Sequence, residues 1–369
     1  MLIYWSIIGL ALMLDIACSA RIGRSYELFA LTLFFMYITV ISAIRLNVGT
    51  DYGIYENYFS SIRDLGSENL TVERGFTFFI KTLISMGFTD RAFFVLSSIL
   101  INGAVYYLIK KNIDSLYWGL AAFLYICGGF FFNSMNLVRQ FMAIALGIFA
   151  FMAYCKKRVF TCLMFLLAAF LFHSSAVVLL LILGINILLN SKKKYSYILL
   201  LFILAVVVSF SGVSPFINRV AALNPHWAYY VGNKNTVFFT ERNSSAVFKL
   251  IIPTLIVLLG VRKDYEMDKE AELKVRHNFL YSISLSGSLC YILLQIMGYG
   301  IQPVYRLGLY FFPFFIVYVC YVVGKLKGTR KTVCKLAIIL YFILLTYVTV
   351  FLWNGSGVMP YESIFSLEP

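Results

Sequence analysis

Three arginines stand at or inside apolar stretches of the chain, where a positive charge is costly. Arg45 follows the second long apolar segment, Arg139 lies within "NSMNLVRQFMAIAL", and Arg306 lies within "QPVYRLGLYFFPF". A charged side chain at the centre of a membrane helix costs about 2.5 to 3.5 kcal/mol, so each arginine needs a partner. Few carboxylates lie nearby, and a planar guanidinium matches the oxygens of a phosphate. The pattern indicates an anionic ligand, with structural pairing or snorkelling to the interface as the alternative.

Three groups that can accept a proton accompany these arginines. They are His173 in "FLFHSSAVV" and the carboxylates Asp51 and Glu73. A neutral imidazole accepts a proton near neutral pH, whereas a carboxylate paired with arginine is a weak base that orients its partners. His173 is therefore the leading candidate for a general base, although the residues alone do not rank the three, and a lone histidine is equally often a structural hydrogen-bonding residue. Asn136 and Gln140 recur at helical spacing in the segment that holds Arg139.

Several other chemistries lack their usual parts. The chain has no GxxxxGK[ST], HExxH or GxSxG motif, which argues against ATP-driven transport, zinc proteolysis and nucleophile-elbow hydrolysis. Its three histidines are far apart, and its seven cysteines lie in or beside apolar segments without a CxxC pair. We expect no metal site and no cofactor. The net charge of +14 is spread between apolar runs, so we also expect no nucleic-acid partner.

The composition assigns the chain to a membrane. Of its 369 residues 61% are hydrophobic and only 13% are charged, whereas soluble domains carry about a quarter charged residues. A spanning helix needs about 20 mostly apolar residues. The sequence predicts an all-α polytopic protein, with 1–369 as a single transmembrane domain of about twelve spans. These lie near 2–20, 27–44, 91–109, 116–132, 137–154, 158–172, 174–190, 195–212, 246–261, 278–297, 305–323 and 333–353.

Between the second and third spans, the segment 75–88 is apolar but short and contains Lys81, which predicts a half-inserted or re-entrant helix. Lysine and arginine collect in alternate connections, which hold most of the 31 basic residues, and the rule that cytoplasmic loops are basic orients the chain. The longest connections, 45–90 and 213–245, are then outer loops. The second of them is rich in aromatic residues, which suit sugar rings or an ordinary interfacial belt.

Five segments in order resemble the pattern of the EpsG family of Wzy-type polysaccharide polymerases. They are "RLNVGTDYGIYENYF", "ERGF", "NLVRQFMAIAL", "FHSSAVVLL" and "YRLGLYFFP", which extend from Arg45 to Pro313. Each segment alone is a weak signal, whereas their order is fairly specific. The glycine usual in the family's R-x-G-V-G-T-D is Asn47 here, which leaves the local turn geometry open.

The resemblance implies a membrane glycosyltransferase of the cytoplasmic (inner) membrane, with an architecture similar to the GT-C-like glycosyltransferases and O-antigen ligases. Such enzymes polymerise polyprenyl-diphosphate-linked repeat units of an exopolysaccharide, capsule or O-antigen on the outer face. The bilayer, the lipid-linked glycan and a chain-length-regulating membrane protein are the implied partners. The candidate catalytic residues are His173, Asp51 and Glu73. The candidate substrate-binding residues are Arg45, Arg139, Gln140, Arg306, Asn136 and Tyr52.

Two other functions fit a chain of this kind. A flippase for lipid-linked oligosaccharide would also have about a dozen spans and buried arginines, with charges along a path through the membrane and with internal repeats. A membrane acyltransferase acting on sugars would place its histidine towards a cytoplasmic acyl donor. The polar residues at one predicted face, the absence of a visible repeat and an outward-facing His173 favour the polymerase.

Overall fold

The computed structural model describes residues 1–66, 72–191, 193–210, 244–268, 275–299 and 301–366, and within them the chain is almost entirely helical. It divides into two compact units, Met1–Val177 with Val323–Pro369, and Val178–Val322. The prediction of one transmembrane domain over 1–369 stays a prediction. The predicted outer loop 213–245 lies almost wholly outside the described residues.

Among the described residues, the first unit begins with nine helices. In chain order they are α1 (Leu2–Ser19), α2 (Arg24–Ala43), α3 (Tyr52–Leu65), α4 (Arg74–Ser85), α5 (Asp90–Asn112), α6 (Trp118–Cys127), α7 (Phe130–Asn136), α8 (Val138–Cys155) and α9 (Val159–Phe172). The segment 45–90, predicted as an outer loop, thus contains α3 and α4, and α4 occupies the place of the predicted half-inserted helix 75–88. Short 3₁₀ turns precede α6 and follow α9, at Ser115–Tyr117 and Ser174–Leu180.

The second unit is arranged around one serine-rich helix. Its helices are α10 (Leu181–Leu189), α11 (Lys194–Phe210), α12 (Ser244–Asp268), α13 (Val275–Met297), α14 (Gln302–Gly308) and α15 (Phe312–Lys325). Helices α10, α11, α12 and α14 all pack on α13. The hydroxyls of Ser284, Ser286 and Ser288 donate to carbonyls three or four residues back, at 2.7 to 2.8 Å, which lets an apolar helix bury them.

The chain then returns to the first unit through α16 (Gly328–Thr346) and a π-helical turn, Tyr347–Leu352. Among the described residues, seven helical segments are long and apolar enough to cross a membrane: α1, α2, α5, α8, most of α13, the α14–α15 pair, and α16 with its π turn. An eighth crossing is possible if α6 and α7, bent by 45° at Gly128–Gly129, act as one span. The chain is therefore a multi-pass membrane protein. Each of the twelve predicted spans overlaps a helix, but four of them fall on described apolar stretches of only 10 to 17 residues, so the count of twelve stays a prediction. These stretches are Val159–Phe172, Ser174–Leu189, Lys194–Ser209 and Lys249–Val261.

Close backbone contact joins the helices of the first unit. Helix α1 packs on α6 at Gly119, where an added Cβ would overlap the backbone of Asp15. Beside this crossing, the Asp15 carboxylate accepts a bond of 2.7 Å from Nζ of Lys335, which ties α1 to α16. Helices α8 and α9 form an antiparallel hairpin with a three-residue connection, so the start of α8 lies next to the end of α9.

The α1–α6 contact generates a prediction about stability. Gly119→Ala should destabilise the protein by about 1 to 3 kcal/mol, because the new methyl group meets backbone that cannot move aside without shifting a helix. Gly103→Ala in α5 is the matched control, since no atom lies within 4 Å of its added Cβ and alanine favours a helix. The midpoint of thermal unfolding in detergent measures both variants. Equal midpoints for the two variants would contradict this packing.

Candidate functional site

The Glu73 carboxylate joins two of the other predicted site residues. Its Oε2 accepts a hydrogen bond of 2.7 Å from Nη1 of Arg139, and its Oε1 lies 2.8 Å from Nδ1 of His173. The backbone N–H and the hydroxyl of Ser174 also donate to Oε1, at 3.2 and 3.4 Å. The side chains of Glu73, Arg139 and His173 are 20 to 25% exposed. Residues that are separated by up to a hundred positions therefore form one partly accessible cluster.

Three helix ends bring this cluster together. Glu73 immediately precedes α4, Arg139 lies in the first turn of α8, and His173 immediately follows α9. The α8–α9 hairpin sets Arg139 beside His173. Gly75 allows the start of α4, and with it Glu73, to lie close to α9. A Cβ at this position would lie 2.7 Å from the carbonyl oxygen of Leu171, so only glycine permits this approach.

Aromatic rings from α3 and α4 hold the Arg139 side chain. Its guanidinium carbon lies 5.4 Å from the ring centre of Tyr58 and 5.5 Å from that of Phe76, within the range of cation–π attraction. The Arg139 backbone N–H donates to the hydroxyl of Tyr55 at 3.3 Å. A guanidinium carries five N–H donors, and the bond to Glu73 uses one. The rings and the carboxylate thus fix the position of Arg139. Its guanidinium has more N–H donors than the Glu73 carboxylate uses.

The third candidate base, Asp51, is tied to the break between α7 and α8. The side-chain oxygen of Asn136 accepts hydrogen bonds from the Thr50 hydroxyl at 2.8 Å and from the Asp51 backbone N–H at 2.9 Å. Gly49 has φ of +101°, and a Cβ on it would lie 2.8 Å from the carbonyl oxygen of Met135. Asn136 therefore positions Asp51 by accepting a hydrogen bond from its backbone N–H. The role of Asn136 as a substrate ligand stays a prediction.

The turn in which the family's glycine is replaced keeps a glycine-like conformation. Asn47 has φ of +55°, in the left-handed region that asparagine adopts more readily than most other residues. Asn47 therefore has a backbone conformation that glycine would adopt without strain.

Arg45 is buried, with 1% of its surface exposed. Its Nη1 donates to the carbonyl of Ser42 and lies 3.5 Å from the hydroxyl of Ser98, and its Nη2 lies 3.4 Å from the carbonyl of Met135. These two carbonyls belong to the last turns of α2 and α7, where the helix dipole is negative and favours a cation. This geometry favours the structural alternative for Arg45, and its role in substrate binding stays a prediction.

Burial also favours packing roles for Tyr52 and Gln140, which are 2% and 5% exposed. The Tyr52 hydroxyl accepts a hydrogen bond from Nη1 of Arg91, and its ring stacks on Phe94 with centroids 4.4 Å apart. Arg306 is exposed at the end of α14 in the second unit. The substrate contacts proposed for these three residues stay predictions.

Sequence reasoning missed Arg91, Tyr55, Tyr58 and the Ser174 backbone. Arg91 binds Tyr52 and approaches Glu56 at 3.6 Å, and so holds α3 against α5. A signal for α3 was present, because the buried residues Tyr52, Tyr55, Phe59 and Ile62 recur at helical spacing. Within the part of the chain that the structure describes, no three His, Cys, Asp or Glu residues gather to hold a metal ion. Metal-independent chemistry stays an expectation.

A family model described as the EpsG family matches residues 28–363, which include every candidate site residue. The chain belongs to the EpsG family. This is a family of Wzy-type polysaccharide polymerase-like proteins, so the predicted resemblance is confirmed. No curated protein and no solved structure matches the chain. The predicted likeness to the GT-C-like architecture therefore stays a prediction.

In this EpsG-family chain the neighbours of Glu73 control its protonation. Burial acts to raise the pKa of the carboxyl, but the hydrogen bond from His173 and the charge of Arg139 outweigh it and lower the pKa to about 2. Glu73 is thus ionised at neutral pH and is a poor proton acceptor. An ionised carboxylate at Nδ1 keeps the proton on that nitrogen, so the lone pair of a neutral His173 lies on Nε2. The pair has the carboxylate–imidazole arrangement that orients a general base.

The low pKa of Glu73 predicts how stability depends on pH. A carboxyl whose pKa is lower in the folded chain stabilises the fold fully above its unfolded value, about 4.5, and this contribution is lost as the pH falls towards about 2. Parent protein should therefore unfold at a higher temperature than Glu73→Gln at pH 7, and this advantage should shrink below pH about 4.5. Thermal unfolding in detergent across this range tests it.

The control for the pH series is Asp64→Asn. Asp64 pairs with its exposed sequence neighbour Arg63 on α3, and exposed pairs add little to stability. This variant should unfold close to the parent temperature at every pH. A constant difference between parent and Glu73→Gln across the acid range would contradict the lowered pKa.

Proposed function

We propose that this chain is a membrane glycosyltransferase that polymerises polyprenyl-diphosphate-linked oligosaccharide repeat units on the outer face of the cytoplasmic membrane. The observation that carries the proposal is the Glu73 carboxylate held between Arg139 and His173, in a chain of the EpsG family. The cluster combines a fixed cation for a phosphate with an oriented imidazole for a hydroxyl. Those are the two groups that transfer of a sugar from a lipid diphosphate requires.

In the proposed reaction, the neutral His173 accepts a proton at Nε2 from a hydroxyl of one lipid-linked glycan. The hydroxyl oxygen forms a bond to the anomeric carbon of a second lipid-linked glycan, and the bond from that carbon to the diphosphate oxygen breaks. The products are a longer lipid-linked glycan and a polyprenyl diphosphate. Negative charge develops on the departing diphosphate, where the Arg139 guanidinium stabilises it more strongly than in the ground state. The diphosphate contact of Arg306 stays a prediction.

The distribution of charge along the helices supports an outward-facing site. Three helices of the first unit have different residues at their two ends. One end carries lysine or arginine of a basic connection. The other end lies at the 45–51 segment or at the Glu73–Arg139–His173 cluster and its neighbours. Arg24 begins α2 and Arg45 lies two residues after its end. In α5, Arg91 is near the start and Lys111 near the end. In α8, Arg139 is in the first turn and Lys156 directly follows the last residue. If the basic ends face the cytoplasm, Glu73, Arg139 and His173 face outwards.

The same distribution bears on the alternatives. A flippase moves a charged headgroup across the membrane, so it needs cations along a path. In the first unit Glu73, Arg139 and His173 instead gather at one set of helix ends. An acyltransferase would need its histidine near the basic ends, whereas His173 lies at the end of α9 opposite Arg158. A chain-length-regulating membrane protein as a further partner stays a prediction.

Orientation is tested by labelling single cysteines with an impermeant thiol reagent in intact cells, or in spheroplasts if an outer membrane intervenes. Asn57→Cys on the exposed face of α3 should react, and Lys111→Cys at the basic end of α5 should react only after the membrane is opened. Both variants are made with Cys155 and Cys334, the two half-buried native cysteines, replaced by serine. The opposite labelling pattern would put the cluster in the cytoplasm and overturn the proposal.

The role of His173 is tested in purified, reconstituted protein with a lipid-linked repeat unit as substrate. Removing a general base should slow polymerisation by roughly 100- to 10,000-fold, so His173→Ala should lose turnover while it still retains the lipid-linked substrate. Glu73→Gln should also lose turnover, because the imidazole is no longer oriented. Asp64→Asn should polymerise at the parent rate.

The comparison also separates the candidate bases. If His173→Ala polymerises at the parent rate while Asp51→Asn binds substrate but is inactive, the histidine is structural and Asp51 is the base. Unchanged polymer from all three site variants would refute the site itself.

A further inference from the structure

The residues that follow the π turn lie against the segment that begins with Arg45. The backbone N–H of Ile364 donates to the carbonyl of Ile44, that of Leu46 donates to Glu362, and that of Gly49 donates to Gly357, at 2.9 to 3.0 Å. Arg45 and Ser363 form an isolated antiparallel bridge at the same place. The 354–364 segment, which we call the strap, therefore forms backbone hydrogen bonds with groups of the 44–49 turn that are not bonded within the turn.

The strap is itself held in one conformation. The side chain of Asn354 donates to the carbonyl of Met359 at 2.6 Å and accepts from its N–H at 2.9 Å, which closes a turn. Val358 is fully buried, and its carbonyl accepts a bond of 2.7 Å from the hydroxyl of Tyr4 in α1. The hydroxyl of Ser356 lies 3.0 Å from the side-chain oxygen of Asn133 in α7. The strap is thus a fixed surface that is anchored to α1 and α7.

At its closest approach, the strap meets the residue before Asp51. Gly357 has φ of +62°, and an added Cβ would lie 2.6 Å from Cγ2 of Thr50 and 3.0 Å from its backbone nitrogen. Thr50 is also the residue whose hydroxyl donates to Asn136, next to the bond from the Asp51 N–H to the same oxygen. A displacement of Thr50 by the strap would therefore stretch both bonds to Asn136.

We propose that the strap positions the Thr50–Asp51 turn against Asn136, and that Gly357 is a positioning residue for the polymerase site. The proposal rests on the proposed function for its kinetic consequence. The strap contacts neither Glu73 nor His173 in any hydrogen bond among the described residues, so it acts through the 45–51 segment. The Thr50–Asp51 turn and the strap are about three hundred residues apart in the sequence, so the site depends on a segment that is distant in sequence.

The test compares Gly357→Ala with Gly355→Ala. At Gly355 φ is not in the left-handed region, and an added Cβ approaches no described atom closer than 3.4 Å, so this change should leave turnover at the parent value. Gly357→Ala should lower kcat by roughly 10- to 100-fold, as expected for a small displacement within a site. Adding Thr50→Ser removes Cγ2 but keeps the hydroxyl, so the double variant should recover part of kcat relative to Gly357→Ala. Thr50→Ser alone is the reference.

A second readout does not depend on polymerisation. Hydrogen exchange of the peptide that covers residues 44–51, followed by mass spectrometry, should be faster in Gly357→Ala than in the parent and unchanged in Gly355→Ala. Faster exchange with parent kcat would show that the strap holds the turn but does not serve the site, and would overturn the proposal. Unchanged exchange in Gly357→Ala, whatever its kcat, would also overturn it. If the parent itself does not polymerise, the proposed function fails, while the exchange experiment still decides whether the strap holds the turn.

Discussion

The cluster depends on one partly buried carboxylate with two partners. Glu73 lies at the start of a short helix, where it accepts hydrogen bonds from a guanidinium, an imidazole and a backbone N–H. Removing a carboxylate from bulk water is unfavourable unless such donors replace the lost hydration. The donors are available because Gly75 lets α4 approach α9, and because the α8–α9 hairpin returns His173 to Arg139. The ionic contact and the close helix packing therefore require each other.

The buried Arg45 is stabilised in a different way from Glu73. Among the described residues, the hydrogen-bond partners of Arg45 are hydroxyls and backbone carbonyls at the ends of two helices. Its neighbours continue into the core, since Ser98 donates to Ser42, and Asn102 links the Ser98 carbonyl to the hydroxyl of Tyr125. Helix dipoles and a chain of hydrogen bonds thus replace a counter-ion, although Nε of Arg45 has no hydrogen-bond partner among the described residues. An arginine in an apolar segment is not by itself evidence of an anionic ligand, and Arg139, which is partly exposed and bonded to Glu73, makes the stronger case.

The sequence was sufficient for the helical class, the membrane assignment and the family, and it named Glu73, Arg139 and His173, which the structure brings into contact. Their roles in a site stay predictions. The helical class and the membrane assignment follow from composition, the family follows from five motif segments in order, and the charged residues were noticed because they are costly in an apolar chain. In the 45–90 segment a helix at 75–88 was predicted, where α4 lies, but α3 was not, because α3 is only half apolar and is stabilised by tertiary contacts to α5 such as the bonds of Arg91. The partners of Arg45 and the strap could not be predicted either. Both depend on backbone carbonyls, which every residue carries and which no sequence pattern marks.

Sharing one carboxylate between two partners has a consequence for interpreting variants of this site. Substituting His173 removes one partner and leaves Arg139 paired with Glu73, so the guanidinium keeps its carboxylate while the proposed proton acceptor is lost. Substituting Glu73 releases both partners and leaves a partly buried guanidinium without its carboxylate, so binding and turnover change together. A double substitution of Glu73 and His173 would then be less harmful than the sum of the two single changes. The size of that difference measures how much of the role of Glu73 is to orient the imidazole and how much is to hold Arg139.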